Sequence, residues 1–262
     1  MVTVIAYTLA SVIVVSLISL VGVLSLFSRR IETEEILLLL ISLSAGTLFG
    51  DAFLHLLPET VEVHGLTLRV SLLVIAGILT FFLLEKIVHW RHCHLQEQEE
   101  EKLQKHLAGH PADHPAQLVP LNLAGDALHN FVDGLAIAGS YLVSIPTGIA
   151  TTIAVVLHEI PQEVADFGVL LYAGLSRWKA LLFNFFSAAT AIIGAIIGLI
   201  LGARSGIFTE FILPFTAGGF VYIAGSNLIP ELHKGCGLKD SLGHFLALII
   251  GIAIMAGLRL ME

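Results

Sequence analysis

The chain has 262 residues, of which 56% are hydrophobic and 13% charged, and its mean hydropathy is +0.90. A soluble domain carries about 25% charged residues, so the composition excludes an ordinary soluble protein. The net charge of −8 excludes a typical nucleic-acid-binding protein. Cys93 and Cys236 are far apart in sequence, which predicts neither a disulfide framework nor a CxxC zinc motif.

Apolar runs long enough to cross a bilayer recur along the chain. About 20 residues at 1.5 Å per residue cross a hydrocarbon core of about 30 Å. Eight runs reach that length, at about 4–27, 36–57, 68–90, 119–142, 147–172, 179–203, 207–229 and 241–261. The sequence therefore predicts an all-α polytopic membrane protein, with eight transmembrane helices in a single domain over residues 1–262.

The basic residues predict the orientation of these spans. With the N-terminus outside, the inner connections hold ten basic residues and the outer connections hold three. The inner ones are Arg29, Arg30, Lys86, Arg91, Lys102, Lys105, Arg177, Lys179, Lys234 and Lys239, and the outer ones are Arg69, Arg204 and Arg259. Because Lys and Arg concentrate on the cytoplasmic side, we expect both termini to be extracytoplasmic, in the cell (plasma or inner) membrane.

The second span ends in polar residues at helical spacing. Asp51, His55 and Glu59 stand at i, i+4 and i+8, so they share one helix face at the predicted outer end. Polar residues at helix ends often only face lipid headgroups. The alternative, which we favour, is that these side chains form part of a metal pathway or an auxiliary metal site.

The connection after the third span, at about 91–118, is polar and rich in histidine. A charge-rich segment of this kind cannot bury enough apolar surface to fold alone, which predicts a flexible cytoplasmic loop. Short His-rich tracts bind metals, so the segment is a solvated linker, a weak metal-collecting loop, or both. The histidines are His92, His94, His106, His110 and His114, with His89 at the end of the third span.

The fourth span carries ionisable residues in its interior. His129 and Asp133 stand at i and i+4, which places them on one helix face. Asp126, three residues before His129, extends that face. A single intramembrane His or Asp can be a structural link between helices, but a buried ionisable group at membrane depth is by default a sign of function.

The fifth span is still more polar. His158, Gln162 and Asp166 form one face at i, i+4 and i+8, while Glu159 and Glu163 form the neighbouring face. Imidazole, carboxylate and amide oxygen together are a ligand set for zinc, iron(II) and manganese. The two polar spans therefore predict a divalent metal site between them, inside the bilayer.

A proline lies within this polar part of the fifth span. Pro161 has no N–H to donate and clashes with the carbonyl group of Leu157, so that carbonyl group should be freed beside His158. Opened backbone at membrane depth is tolerated where it lines a polar cavity. We therefore expect Pro161 to bend the helix at the ion.

The last spans add two patterns. Gly194, Gly198 and Gly202 form a small-xxx-small row in the sixth span, which is typical of closely packed helices. The seventh span ends in polar residues on the predicted inner side, and we interpret them as the other end of the pathway. These residues are Asn227, Glu231 and His233.

Two motifs resemble a known family. HNFVDG at 129–134 and HEIPQE at 158–163 are similar to the signatures of the ZIP family of metal-ion transporters. The segments SAGTLFGDAFLHLLPE, FFLLEKIVHW and GGFVYIAGSNLIPEL extend the resemblance over nearly the whole chain. The eight-helix plan with both ends outside and the His-rich loop between helices three and four agree with it.

The resemblance implies transport of Zn²⁺, or of Fe²⁺, Mn²⁺ or Cd²⁺, into the cytosol, with the ion as substrate and no organic cofactor. It implies a binuclear-type centre between helices four and five and an elevator-type motion of helices one, four, five and six. Its partners would be metal ions and the lipid bilayer, and a homodimer is compatible with it. The first metal position would use His129, Asp133, His158 and Gln162, and the second Asn130 and Glu159, sharing Gln162.

Two departures from the family pattern bear on the site. Gln162 stands where the most similar subfamily has histidine, and an uncharged amide oxygen predicts looser binding or a broader metal range. Ala191 stands where many members have a bridging glutamate, so the second position loses a carboxylate. We expect one well-held ion and a weakened second position.

Two alternatives remain. The residues His158, Glu159 and Gln162 fall one histidine short of the H-E-x-x-H helix of zinc hydrolases. An intramembrane zinc-dependent hydrolase, with His129 as the third ligand, is therefore the alternative to a transporter. A passive metal sensor or structural membrane module is a further one, and it predicts binding without flux.

Overall fold

The computed structural model describes residues 1–20, 34–86, 118–204, 207–232 and 238–260. These described residues form helices, and no strand occurs among them. The helices are α1 Val2–Ile18, α2 Glu34–Asp51 continuing through Ala52–Leu56 and Leu57–His64, α3 Leu68–Lys86, α4 Leu118–Val143, α5 Ile145–Tyr172, α6 Arg177–Ala188 continuing as Thr190–Arg204, α7 Ile207–Tyr222 continuing through Ile223–Leu228 and Ile229–Leu232, and α8 Leu238–Arg259.

Five of these helices are long and apolar enough to cross a membrane. They correspond to Leu38–His64, Leu68–Lys86, Arg177–Gly202, Glu210–Leu232 and Ser241–Arg259. The predicted all-α polytopic membrane protein is thereby confirmed. The helices α4 and α5 have 26 and 28 residues, or about 39 and 42 Å at 1.5 Å per residue. They are long enough to cross a membrane, but their polar residues lower their mean hydropathy, and they are not among the five. The count of eight spans and the outward termini stay predictions.

Glycines join α4 tightly to α6. A Cβ atom placed on Gly194 would lie 2.0 Å from the carbonyl oxygen of Phe131, and one on Gly134 would lie 2.0 Å from that of Ala191. Farther along, a Cβ atom on Gly198 would lie 2.8 Å from the Cβ atom of Ala138, and one on Gly202 would lie 2.2 Å from a side-chain carbon of Leu142. The two backbones therefore touch along this seam, and the predicted packing role of the glycine row in the sixth span is confirmed.

Two other helix pairs are joined in the same way. In the α2–α8 pair, a Cβ atom on Gly46 would lie 2.1 Å from the carbonyl oxygen of Leu248. In the α3–α7 pair, a Cβ atom on Gly77 would lie 2.0 Å from the carbonyl oxygen of Phe215. Because no side chain fits between these backbones, each pair should move as one unit.

Polar contacts link α1 to the α4–α6 pair. The hydroxyl groups of Ser11 and Tyr141 lie 2.9 Å apart, and Ser16 donates to the carbonyl group of Ala188 at 3.1 Å. The helix α1 also packs on α5. We call α1, α4, α5 and α6 the first helix group.

The remaining helices are linked among themselves, and we call α2, α3, α7 and α8 the second helix group. At one end, Arg69 of α3 donates to Glu210 of α7 at 2.6 Å. At the end of α8, Arg259 donates to Glu59 of α2 at 3.0 Å. The two groups meet where α2 packs on α5 and where α4 packs on α7.

Two helices of the second group contain a π-helical stretch, at Ala52–Leu56 in α2 and at Ile223–Leu228 in α7. Each stretch lies just before a proline, Pro58 or Pro230. Because proline cannot donate to the carbonyl group four residues earlier, the turn before it readily widens. Such widened turns are frequent at functional sites.

Candidate metal centre

Four predicted side chains converge between α4 and α5. They are His129 and Asp133 of α4, and His158 and Glu159 of α5. The i, i+4 spacing brings the first two together on one helix face, and the packing of α4 on α5 brings the other two opposite them. Asp133 and Glu159 are fully buried, and His129 is the most exposed of the four at 14%.

The spacing of the four donor atoms matches a tetrahedral metal shell. The Nε2 atoms of His129 and His158 lie 3.2 Å apart. Each lies close to Asp133 Oδ2, at 3.4 and 3.2 Å, and to Glu159 Oε1, at 3.4 and 3.5 Å. A tetrahedral zinc ion with ligands at about 2.0–2.2 Å separates its ligand atoms by about 3.3–3.6 Å. Five of the six edges therefore have nearly the length that zinc requires.

The imidazole ring of His158 is oriented by its other nitrogen. Its Nδ1 atom lies 3.0 Å from the carbonyl oxygen of Ala154, to which it can only donate. The remaining nitrogen, Nε2, then carries a lone pair directed at the centre. Histidine ligands of metals are commonly oriented by a hydrogen bond from the other ring nitrogen. The hydrogen bond from His158 to the carbonyl group of Ala154 therefore also fits a metal site.

Aromatic rings of the second helix group close the other side of the centre. Phe81 of α3 contacts the His129 ring edge-on at 5.8 Å between centroids. Phe220 of α7 contacts the His158 ring at 5.9 Å. These contacts restrict both imidazole rings and give the centre an apolar wall on the side of the second helix group.

The carboxylates at the centre have acceptor capacity that no hydrogen bond uses. Asp133 Oδ1 and both oxygens of Glu159 are buried and accept no hydrogen bond. Burying a carboxylate without a partner costs several kcal/mol. Two neutral imidazoles and two carboxylates together carry a charge of about −2, which a divalent cation neutralises, so the donor set fits such an ion.

A second polar cluster adjoins the centre along α4 and α5. Asn130 donates to Asp126 Oδ1 at 2.9 Å, and Gln162 donates to the same oxygen at 3.4 Å. The amide oxygen of Asn130 is buried without a hydrogen-bond partner. Gln162 therefore faces Asp126, and Glu159 supplies the fourth donor atom of the centre. The family resemblance, in contrast, assigns Gln162 to the first metal position and Glu159 to the second.

The fully buried Glu163 is paired with a residue of α6. The side-chain amide of Asn184 donates to Glu163 Oε2 and, at 3.4 Å, to the Glu163 carbonyl group. Glu163 thus links α5 to α6, while Asp166, one turn farther on, is half-buried. The sequence did not single out Asn184. Its one signal is an amide in the middle of an otherwise apolar span.

The predicted pathway residues of α2 and α7 lie outside the set of four donor atoms. Asp51 and His55 of α2 are fully buried, with His55 Nδ1 3.5 Å from Asp51 Oδ1. Glu59 is bonded to Arg259, and Asn227 lies in the π-helical stretch of α7. Glu231 lies in the short helix that follows. Other predicted residues lie outside the described residues: His233, His89 and the loop histidines His92, His94, His106, His110 and His114.

Comparison with known proteins gives one consistent family. A family model described as "ZIP Zinc transporter" matches residues 2–120 and 91–259. Among curated proteins, the chain is 34% identical to "Zinc transporter ZIP13 homolog" of Drosophila melanogaster, over 85% of the chain and 77% of that protein. It is 38% identical to "Zinc transporter ZIP13" of Pongo abelii, over 82% of the chain and 65% of that protein. It is 32% identical to "Zinc transporter SLC39A7" of Mus musculus, over 97% of the chain and 69% of that protein.

Proposed function

The chain belongs to the ZIP zinc transporter family, and on that premise we propose that it carries Zn²⁺, or a similar divalent ion, through the centre between α4 and α5. The observation that carries this proposal is the buried set of four donor atoms at nearly tetrahedral spacing. The two imidazoles and the two carboxylates bind the ion, and their summed charge matches that of a divalent cation. Zn²⁺ is the first choice because it prefers four nitrogen and oxygen ligands in a tetrahedron.

An ion enclosed in this way can leave only if the helices around it move. Two features support a sliding motion of the first helix group along the second. The close backbone approaches at Gly194, Gly46 and Gly77 all lie inside one group or the other. Where the groups meet, Gly139 of α4 faces instead a side-chain atom of Ile212 in α7. Joints within each group are thus stiffer than the interface between them.

The family resemblance implies transport into the cytosol, and the orientation that the basic residues predict indicates which end of each helix lies on the outer side. With both termini extracytoplasmic, α4 and α5 carry the ion from the outer side to the cytosol. The polar end of α2, with Asp51 and His55, serves as the outer approach to the centre. Asn227 and Glu231, near the end of α7, serve the inner side.

We propose one well-held ion and a weakened second position. The second position would draw on Asn130, whose amide oxygen is buried without a hydrogen-bond partner. It would also draw on Gln162 and Asp126. Ala191 lies fully buried in the α4–α6 seam and supplies no carboxylate there, so a second ion is held by fewer charges.

The alternative of an intramembrane hydrolase is less well supported. A catalytic zinc ion has three protein ligands and an open position for water. Here four protein atoms already complete a tetrahedron, and Glu159, the residue that would act as a base, is one of them. The named relatives are transporters, which supports the same choice.

Flux of zinc into sealed vesicles tests the proposal. Purified protein is reconstituted into liposomes that contain a zinc-sensitive dye, and zinc is added outside. We expect wild-type vesicles to fill faster than His158→Ala vesicles. A matched histidine control is His64→Ala, at the end of α2, which should fill like the wild type.

Three outcomes would contradict the proposed transport function. Equal filling by wild-type and His158→Ala vesicles would refute transport through this centre. Stoichiometric zinc binding without flux would indicate a sensor or a structural module. Turnover of peptide or lipid substrates that Glu159→Gln abolishes would indicate a hydrolase.

A further inference from the structure

The helix α5 is continuous through a proline that removes one of its hydrogen bonds. Pro161 lies inside Ile145–Tyr172, and the chain remains helical on both sides of it. In a regular helix, the N–H group of residue 161 would donate to the carbonyl group of Leu157. Proline has no such group, so Leu157 needs a donor from elsewhere.

The donor is a hydroxyl group of another helix. Ser44 Oγ of α2 lies 2.6 Å from the carbonyl oxygen of Leu157. The same oxygen lies 2.7 Å from the carbonyl oxygen of Leu40, one turn earlier in α2. Ser44 is buried, at 1% exposure. A serine hydroxyl has one proton, so it serves one of these two carbonyl groups at a time.

This hydrogen bond joins the two helix groups beside the metal centre. Ser44 belongs to the second group, and Leu157 belongs to the first and directly precedes the ligand His158. We propose that Ser44 is a positioning residue: it supplies the hydrogen bond that Pro161 removes, and so holds α5 and its ligands in the observed position relative to α2. The proposal rests on the proposed function, because it assumes that the two groups slide.

Because Ser44 has two acceptors, breaking its hydrogen bond to Leu157 costs the serine little free energy. When α5 moves along α2, the hydroxyl group of Ser44 can donate to the carbonyl group of Leu40 alone, so the serine keeps a hydrogen bond. The carbonyl group of Leu157 loses its donor in a buried place. The cost therefore falls on α5 and favours the observed position over any other that lacks a donor for Leu157.

A distance measurement on metal-free protein tests this role. Spin labels are placed on two lipid-exposed positions, Leu79 of α3 and Leu182 of α6, in a background with Cys93→Ser and Cys236→Ser. The share of molecules at the distance of this structure is then read from pulsed EPR. Because a buried carbonyl group without a donor is unfavourable, we expect Ser44→Ala to lower the ratio of this state to the others by about tenfold.

Matched variants separate this role from a general loss of packing. Ser42→Ala removes a buried hydroxyl that bonds only within α2, to the Leu38 carbonyl group at 2.7 Å, and should leave the ratio unchanged. Ser44→Thr keeps the hydroxyl and should keep the wild-type ratio. Pro161→Ala returns an N–H group to Leu157, so adding Ser44→Ala to it should change the ratio less than about twofold.

The positioning role of Ser44 and the proposed transport of zinc can be refuted independently. Equal ratios for Ser44→Ala and Ser42→Ala, or one distance in every variant, would overturn the positioning role even if zinc flux depends on His158. A tenfold shift in vesicles that show no zinc flux would keep the role of Ser44 and refute transport. If Ser44→Ala fails to fold, Pro161→Ala should restore folding, and its failure to do so would also overturn the proposal.

Discussion

The seam between α4 and α6 is expected to tolerate no added side chain. In Gly194→Ala, the new Cβ atom would lie 2.0 Å from the carbonyl oxygen of Phe131 and 3.2 Å from the backbone nitrogen of Leu135. Carbon and oxygen atoms in contact are normally about 3.3–3.6 Å apart. The two helices must therefore separate by more than about 1 Å at this point.

The expected cost follows from that displacement. Overpacking of a tight contact costs about 1–3 kcal/mol, and 1 kcal/mol lowers the melting temperature by about 2–4 °C in a chain of this size. We expect Gly194→Ala to lower it by about 2–12 °C. Phe131 lies between His129 and Asp133 in α4, so the same displacement should misplace two ligands and slow zinc flux.

The assay compares Gly194→Ala with an alanine at a glycine that has free space. Gly257 of α8 has no atom within 4 Å of an added Cβ, so Gly257→Ala should melt like the wild type or slightly higher and fill vesicles normally. Melting is followed by size-exclusion chromatography of heated, detergent-solubilised protein. Equal stability and equal flux for the two variants would refute the inference that α4 and α6 move as one unit.

Three further predictions concern the centre and its surroundings. Acid should weaken zinc binding between pH 7.5 and 5.5, because the ion needs neutral imidazoles and free histidine titrates near pH 6.5. Calorimetry showing the same affinity across that range would contradict the ligand set. Gln162→His should strengthen zinc binding at the second position by about tenfold, because imidazole is a better zinc ligand than an amide oxygen, and a titration that shows the same number of bound ions and the same affinities as the wild type would contradict it. Asn184→Leu removes the donor to buried Glu163 and should destabilise the protein by about 1–3 kcal/mol, whereas the exposed control Leu182→Ala should have little effect on melting.

The sequence predicted the cluster of donor side chains best where its members share a helix turn. The i, i+4 spacing of His129 and Asp133 requires only that the fourth span be helical. His158 was found by the same reasoning, because it is an ionisable residue in an apolar span. Local spacing therefore identified most of the donor atoms before any packing was known.

Sequence spacing could not decide which side of α5 faces α4. Glu159 and Gln162 are three residues apart and point in directions that differ by about 60°. The rotation of α5 against α4 brings Glu159 into the centre and directs Gln162 to Asp126. That rotation depends on packing over the whole length of both helices, so no local pattern records it.

Contacts between distant segments were also out of reach. Ser44 and Leu157 are 113 residues apart, and the missing hydrogen bond at Pro161 predicts a donor but not its identity. The pairing of Asn184 with Glu163 is of the same kind. The π-helical stretches before Pro58 and Pro230 were likewise not predicted, since a proline marks where a turn can widen but not whether it does.

The most direct test of a metal centre between α4 and α5 is a zinc-soaked crystal structure with anomalous scattering at the zinc edge. We expect one strong peak about 2.0–2.2 Å from His129 Nε2, His158 Nε2 and the carboxylates of Asp133 and Glu159. A peak bound instead by Asp126, Gln162 and Glu163, with none among those four side chains, would contradict it.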